Sequence, residues 1–84
     1  MRFEIIWDKI VRCAGGEFTT KSGLPFRYQI LNGAVVPDRT EYPLSKSNFE
    51  KAAKIDNLQS PSQISDLVRG PAYVYAILTD ARIR

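Results

Sequence analysis

The chain has 84 residues, of which 44% are hydrophobic and 25% are charged, a composition that is typical of globular proteins and excludes a largely disordered chain. Its formal net charge of +3 is mildly basic, and its acidic residues are interspersed with the basic ones instead of leaving a dense basic stripe. One cysteine, Cys13, and no histidine exclude an intramolecular disulfide and a zinc site built from these residues. We therefore expect one small domain over residues 1–84, with no cofactor and no metal.

The N-terminal sequence MRFEIIWDKIVRC places charges among its apolar residues, unlike the uninterrupted apolar segment of a signal peptide. No run in the sequence approaches the roughly 20 apolar residues of a membrane span. We expect a cytoplasmic protein that has no membrane partner.

Residues 2–14 have the periodicity of an amphipathic helix. Asp8 and Arg12 are spaced for an ion pair one turn apart, and Gly15 or Gly16 supplies the residue that ends the helix. The apolar residues recur at intervals of three and four and form one continuous stripe: Phe3, Ile6, Trp7, Ile10, Val11 and Ala14.

Residues 17–36 predict two or three antiparallel strands. The alternation in PFRYQIL, residues 25–31, assigns Phe26, Tyr28 and Ile30 to the core face and the residues between them to the opposite face.

Asn32-Gly33 is the preferred pair for a two-residue type I′ turn within this segment. Such a turn pairs Leu31 with Ala34 and Ile30 with Val35. Pro37 then ends the strand or marks it as the edge of the sheet.

The C-terminal half predicts helices. Residues 38–43 are a loop or a short edge strand with Thr40 and Tyr42 on one face, and serine caps place the start of a helix within residues 45–48 and its end near Ile55. A second helix begins at Ser60, with Pro61 in its first turn, and runs to Arg69.

Residues 72–80 fit a strand or a helix, because almost every position is apolar and periodicity cannot separate the two. The preceding Gly70-Pro71 favours a helix.

The predicted fold is therefore α+β. An N-terminal amphipathic helix precedes a small antiparallel sheet of two or three strands, which includes a hairpin with an Asn-Gly turn, and two or three C-terminal helices pack on one face. The expected core comprises Phe3, Ile6, Trp7, Ile10, Phe18, Phe26, Tyr28, Ile30, Val35, Phe49, Leu67, Val74 and Ile77.

The first functional hypothesis is a small module that binds nucleic acid through the solvent-facing side of the 17–36 hairpin. Arg27 and Gln29 are residue types that read base edges, while Lys21 suits phosphate, and Arg39 and Lys46 lie where they could add phosphate contacts. An antiparallel sheet with one solvated face has the same pattern, so this plainer interpretation stays open.

The alternative hypothesis is a protein-interaction module or a homodimer. Tyr42, Tyr73 and Tyr75 have no certain place in so small a core, and protein interfaces are enriched in tyrosine.

We do not expect an enzyme or a catalytic residue. The sequence has no histidine to act as a base near neutral pH, and no glycine-rich nucleotide-binding motif. A remote alternative is a hydrolase built on carboxylates such as Asp38 and Glu41, to which Asp8, Glu17 and Asp80 could be added.

Overall fold

The computed structural model describes residues 3–40, 42–55 and 57–83, and it confirms the α+β fold. An N-terminal helix precedes two small antiparallel sheets, and further helices follow them. In chain order the elements are α1 (Phe3–Arg12), β1 (Phe18–Thr19), β2 (Pro25–Phe26), β3 (Tyr28–Leu31), β4 (Ala34–Pro37), β5 (Leu44–Ser45), α2 (Lys46–Ala53), a 3₁₀ helix (Pro61–Ile64) and α3 (Pro71–Thr79).

Helix α1 forms as its apolar stripe predicts, although it ends at Arg12, two residues before the expected end. The expected ion pair is present, with Arg12 Nε 3.0 Å from Asp8 Oδ2. The chain leaves the helix through Gly15, which has a φ of 89° and whose N–H donates to the carbonyl of Tyr28 at 2.8 Å. The end of α1 is thereby fixed against the start of β3.

The hairpin of β3 and β4 has the predicted turn and register. Asn32 and Gly33 have positive φ angles of 52° and 74°, as a type I′ turn requires. Leu31 pairs with Ala34 and Ile30 pairs with Val35.

The segment from Pro25 to Leu31 is not one uninterrupted strand. Phe26 pairs with Phe18 in the two-stranded sheet, whereas Tyr28 pairs with Pro37 in the three-stranded sheet. Arg27 connects the two sheets. The predicted alternation holds across this break, because Phe26 and Tyr28 are buried and Arg27 is exposed.

Strand β5 lies beside β4, at a position where the sequence did not predict a strand. Leu44 pairs with Val35 and Ser45 with Ala34, so β4 is the central strand of the order β3-β4-β5. Pro37 ends β4, which is the first of the two predicted alternatives, and β5 pairs only with Ala34 and Val35 of that strand. Thr40 and Tyr42 lie outside the strands, and α2 begins at Lys46, within the predicted range.

The predicted helix from Ser60 to Arg69 is largely wrong. The capping box is present, since the side chain of Ser60 accepts from the backbone and the side chain of Gln63 accepts from the N–H of Ser60 at 2.9 Å. However, only the 3₁₀ helix forms, and turns follow it, so the helical stripe does not extend to Leu67. That residue is 45% exposed and does not belong to the core.

Helix α3 resolves the alternatives for residues 72–80 in favour of a helix. Gly70 adopts the left-handed conformation, with φ 62° and ψ 51°, and Pro71 is the first helical residue. None of the helices in the described ranges is long and apolar enough to cross a membrane.

The core lies between the inner faces of the sheets and the helices. Eight expected core residues are fully buried, namely Ile10, Phe18, Phe26, Tyr28, Val35, Phe49, Val74 and Ile77. Four others pack against them from half-buried positions, namely Phe3, Ile6, Trp7 and Ile30. Buried residues that were not expected include Leu44, Ala52 and Ile83.

Candidate binding surfaces

Lys21 is exposed, but its ammonium group is held by the C-terminal half of the chain. Its Nζ donates to the carbonyl of Gln59 at 2.7 Å and lies 5.8 Å from the centre of the Tyr75 ring. Tyr75 donates its hydroxyl to the same carbonyl at 2.9 Å. The lysine therefore joins the β1–β2 turn to the segment before the 3₁₀ helix.

Arg27 and Arg39 also bind backbone carbonyls of the chain. Arg27 Nη1 donates to Gly15 O at 2.8 Å, and Arg39 Nε donates to Pro25 O at 2.6 Å. Acidic groups accompany them, since Arg27 Nη2 lies 3.6 Å from a carboxylate oxygen of Glu17. This part of the surface carries both signs of charge.

Lys46 directly follows β5, but its side chain extends to α1, where its Nζ lies 5.7 Å from the centre of the Trp7 ring. Gln29 is exposed on β3, two residues from Arg27. Of the five residues predicted to bind nucleic acid, only Arg27, Gln29 and Arg39 lie along the β2–β4 region. The structure places Lys21 and Lys46 at two other locations.

The three tyrosines of the alternative hypothesis are half-buried and serve as internal packing groups. Tyr73 meets Phe26 edge to face at 5.0 Å, and Tyr75 makes the hydrogen bond described above. The guanidinium carbon of Arg69 lies 5.1 Å from the centre of the Tyr42 ring. The three tyrosines therefore contact other parts of the same chain, each at a different location, and do not form one shared surface.

The outer face of the three-stranded sheet includes the predicted solvent-facing side of the hairpin, but its aliphatic character was not expected. Gln29 pairs with Val36, Leu31 with Ala34, and Ala34 with Ser45, so these side chains share the face that points away from the core. Leu31 is 57% exposed. We call this surface the outer sheet face, and it comprises Gln29, Leu31, Ala34, Val36, Ser45 and the neighbouring Pro43.

Two shallow hollows meet on the outer sheet face, and both are lined by Leu31 and Val36. The first, of about 310 Å³, extends to Arg27 and Asp38, and the second, of about 430 Å³, extends to Pro43. The sequence signal for this surface was the alternation itself, because it assigned Leu31 to the side opposite the core.

Charge is confined to one end of the outer sheet face. Arg27 and Asp38 lie next to each other there, since the N–H of Asp38 donates to Arg27 O at 2.8 Å and Asp38 Oδ1 accepts from the N–H of Arg27 at 3.2 Å. The opposite end is the uncharged Asn32-Gly33 turn. The face therefore has an aliphatic centre and a single charged end.

A polar cluster around Arg82 connects the segment after α3 to β1. Arg82 lies 3.8 Å from the centre of the Phe18 ring, donates to Glu17 O at 2.7 Å, and bonds both carboxylate oxygens of Asp80. The hydrogen bond from Arg82 lowers the pKa of Asp80. Burial raises the pKa of nearby Tyr28, whose hydroxyl donates to Ile10 O at 2.6 Å.

Within residues 3–40, 42–55 and 57–83, no three acidic or cysteine side chains gather as a metal-binding group. Asp38, a carboxylate of the remote hydrolase hypothesis, is exposed beside Arg27, and Glu41 lies outside the described residues. No protein-family model matches this chain, and no curated protein or solved structure shows significant similarity to it.

Proposed function

We propose that this chain is a small non-catalytic protein-interaction module that associates with a second copy of itself through the outer sheet face. The observation that carries the proposal is the pair of adjoining hollows that share Leu31 and Val36 in their lining. Leu31 is more exposed than the other exposed large hydrophobic residues in the described part of the chain. Exposed apolar patches of more than a few hundred Å² mark protein interaction sites, and this smaller face is expected to form a correspondingly weak one.

The charges at the rim favour a second copy over a nucleic acid. An interface between two identical copies uses the same patch on both, so that patch must be complementary to itself. The outer sheet face meets this requirement, because its centre is aliphatic and its charged end carries Arg27 beside Asp38. A polyanion would instead meet Asp38 and Glu17 among the bases.

The size of the outer sheet face predicts weak association. With strands about 4.8 Å apart and about 3.3 Å per residue, three strands of up to four residues form a face of about 10 by 13 Å. A stable interface buries about 800 Å² on each partner, so this face supports only a transient pair. We expect a dissociation constant of about 0.1–1 mM, equivalent to a binding free energy of about −5.5 to −4 kcal/mol.

Sedimentation equilibrium between about 20 µM and 2 mM, with amide chemical shifts recorded over the same range, tests the proposal. We expect dimers at the upper end, with shifts concentrated at Gln29, Leu31, Ala34 and Val36. Leu31→Lys should weaken association about tenfold or more, because it introduces a charge that must be desolvated in the pair. Leu24→Lys is the matched control, since Leu24 is 51% exposed in the β1–β2 turn and should leave association unchanged.

A monomer at 2 mM, or equal effects of the two lysine variants, would overturn the proposal. Titration with single-stranded and double-stranded DNA and with RNA at low salt tests the nucleic-acid hypothesis beside it. Binding that weakens with a log–log salt slope of about −4, and is lost in Arg27→Glu, would favour the nucleic-acid hypothesis and count against the self-association module.

We place this module in the cytoplasm. The supporting feature is the single cysteine, which cannot form the intramolecular disulfides on which small secreted domains commonly depend.

A further inference from the structure

The charged end of the outer sheet face restricts how two copies can meet on it. Arg27 and Asp38 stand opposite each other just beyond the last cross-strand pair of β3 and β4, which joins Tyr28 to Pro37. Both are exposed, and the guanidinium of Arg27 uses Nη1 to donate to Gly15 and has Nη2 3.6 Å from Glu17, which leaves further N–H donors among its five. Each residue can therefore form a further ion pair with a group above the face.

We infer that the two copies pack face to face about a two-fold axis that runs along the strands between β3 and β4, so that Arg27 of each copy meets the partner's Asp38. This inference rests on the self-association proposed above. A rotation about that axis places β3 of one copy over β4 of the other. The charged end of one copy then lies over the charged end of its partner, and turn lies over turn. Every residue then lies over the partner's copy of its own cross-strand neighbour.

The side chains fit this arrangement. Leu31 lies over the partner's Ala34, since Leu31 and Ala34 are cross-strand neighbours, and the large side chain therefore faces the small one. Gln29 lies over the partner's Val36 for the same reason. Alternation of large and small residues across an interface allows the two layers to interdigitate.

A two-fold axis that runs across the strands, in the plane of the face, is unfavourable. It would bring the Asn32-Gly33 turn of one copy over the partner's Arg27 and Asp38. Both charges would then lose solvent without gaining a charged partner, and burial of a charge that is not paired is costly. The axis along the strands instead brings the two charged ends together and forms two Arg27–Asp38 ion pairs.

Charge exchange tests this arrangement. The Arg27→Asp protein carries two carboxylates at the charged end, and the Asp38→Arg protein carries two guanidinium groups, so each should associate with itself at least fivefold more weakly than the unmodified chain. An equimolar mixture should regain association, because every contact between the two variants joins opposite charges. Circular dichroism confirms that each variant is folded before they are mixed.

The Asp8–Arg12 ion pair on α1 supplies the matched control, because it lies away from the outer sheet face. The Arg12→Asp and Asp8→Arg proteins change the net charge by the same amounts as the two variants above. We expect each of them to associate like the unmodified chain, with no gain in their mixture. If association increased equally in the control mixture, the recovery would be an effect of net charge, and the inference would be overturned.

A second measurement does not depend on the charge variants. In a sample that mixes isotope-labelled and unlabelled chains, filtered nuclear Overhauser effects should connect Leu31 methyl groups to the partner's Ala34. A dimer without these effects, or without recovery on mixing, would overturn this axis and leave the proposed self-association standing. A chain that stays monomeric at 2 mM would overturn both.

Discussion

Gly70 permits the close packing of α3 against β5, and Gly70→Ala should destabilise the protein for two separable reasons. Its φ of 62° lies in the left-handed region, which residues with a Cβ rarely adopt. An added Cβ would also lie only 2.9 Å from Cδ2 of Leu44, a side chain with no exposed surface. Because Leu44 is enclosed by the core, its methyl group has little room to move away.

The expected cost is the sum of backbone strain and overpacking. The left-handed conformation costs a residue with a side chain about 1–2 kcal/mol, and overpacking in a core costs about 1–3 kcal/mol. Alanine recovers a fraction of a kcal/mol by restricting the unfolded chain. We expect a net loss of about 2–4 kcal/mol, a large share of the roughly 5–10 kcal/mol that stabilises a domain of this size.

Urea denaturation of Gly70→Ala and Gly33→Ala separates the two contributions. Gly33 has a similar φ of 74°, but a Cβ added there would have no atoms within 4 Å beyond its chain neighbours, so its substitution should cost only the strain. In a Leu44→Val background, which removes the Cδ atoms, the cost of Gly70→Ala should fall towards that of Gly33→Ala. Equal costs at Gly70 and Gly33 in the unmodified chain would refute the role assigned to Leu44.

Two further predictions concern the cluster at the C-terminus. Tyr28→Phe should lower the free energy of unfolding by about 1–3 kcal/mol, because the carbonyl of Ile10 loses its buried donor; urea denaturation checks this, and no loss would contradict it. The lowered pKa of Asp80 predicts stability that is present above about pH 4 and lost as the pH falls through the folded-state pKa, because the unfolded chain binds the proton more readily. The difference in unfolding free energy between the unmodified chain and Asp80→Asn should therefore shrink from pH 7 to pH 3, and a constant difference would contradict this.

Local sequence signals predicted the turns and helix starts well. The Asn32-Gly33 turn fixes its register through backbone conformation alone, and the Ser60 cap and the Gly70-Pro71 helix start likewise depend on residues close in sequence. These features need no distant contact. They can therefore be predicted from the sequence alone.

The errors arose where distant contacts decide the structure. Strand β5 has only two residues, and Leu44 and Ser45 become a strand because β4 lies beside them, not because of a strand-like pattern of their own. Leu67 was assigned to the core because its spacing from Ile64 matched the period of an α-helix. The chain after Ile64 forms turns, so that spacing does not place Leu67 on the buried side. The same tertiary pairing that adds β5 also places β4 at the centre of its sheet.

At the candidate site, too, the local features were predicted and those that depend on distant contacts were not. Alternation correctly assigned Arg27, Gln29 and Leu31 to the side away from the core, but it could not show which carbonyl each basic group binds. The predicted register of the turn already set Ala34 beside Leu31, and the structure adds Val36 beside Gln29, so a face expected to be basic is aliphatic at its centre. The aliphatic side chains on the outer sheet face, more than the charges of the hairpin, therefore support the proposed function. Arg27 keeps a role in either hypothesis, as a contact to base edges or as a contact to the partner's Asp38, which is why the charge-exchange mixture and the salt titration together discriminate between them.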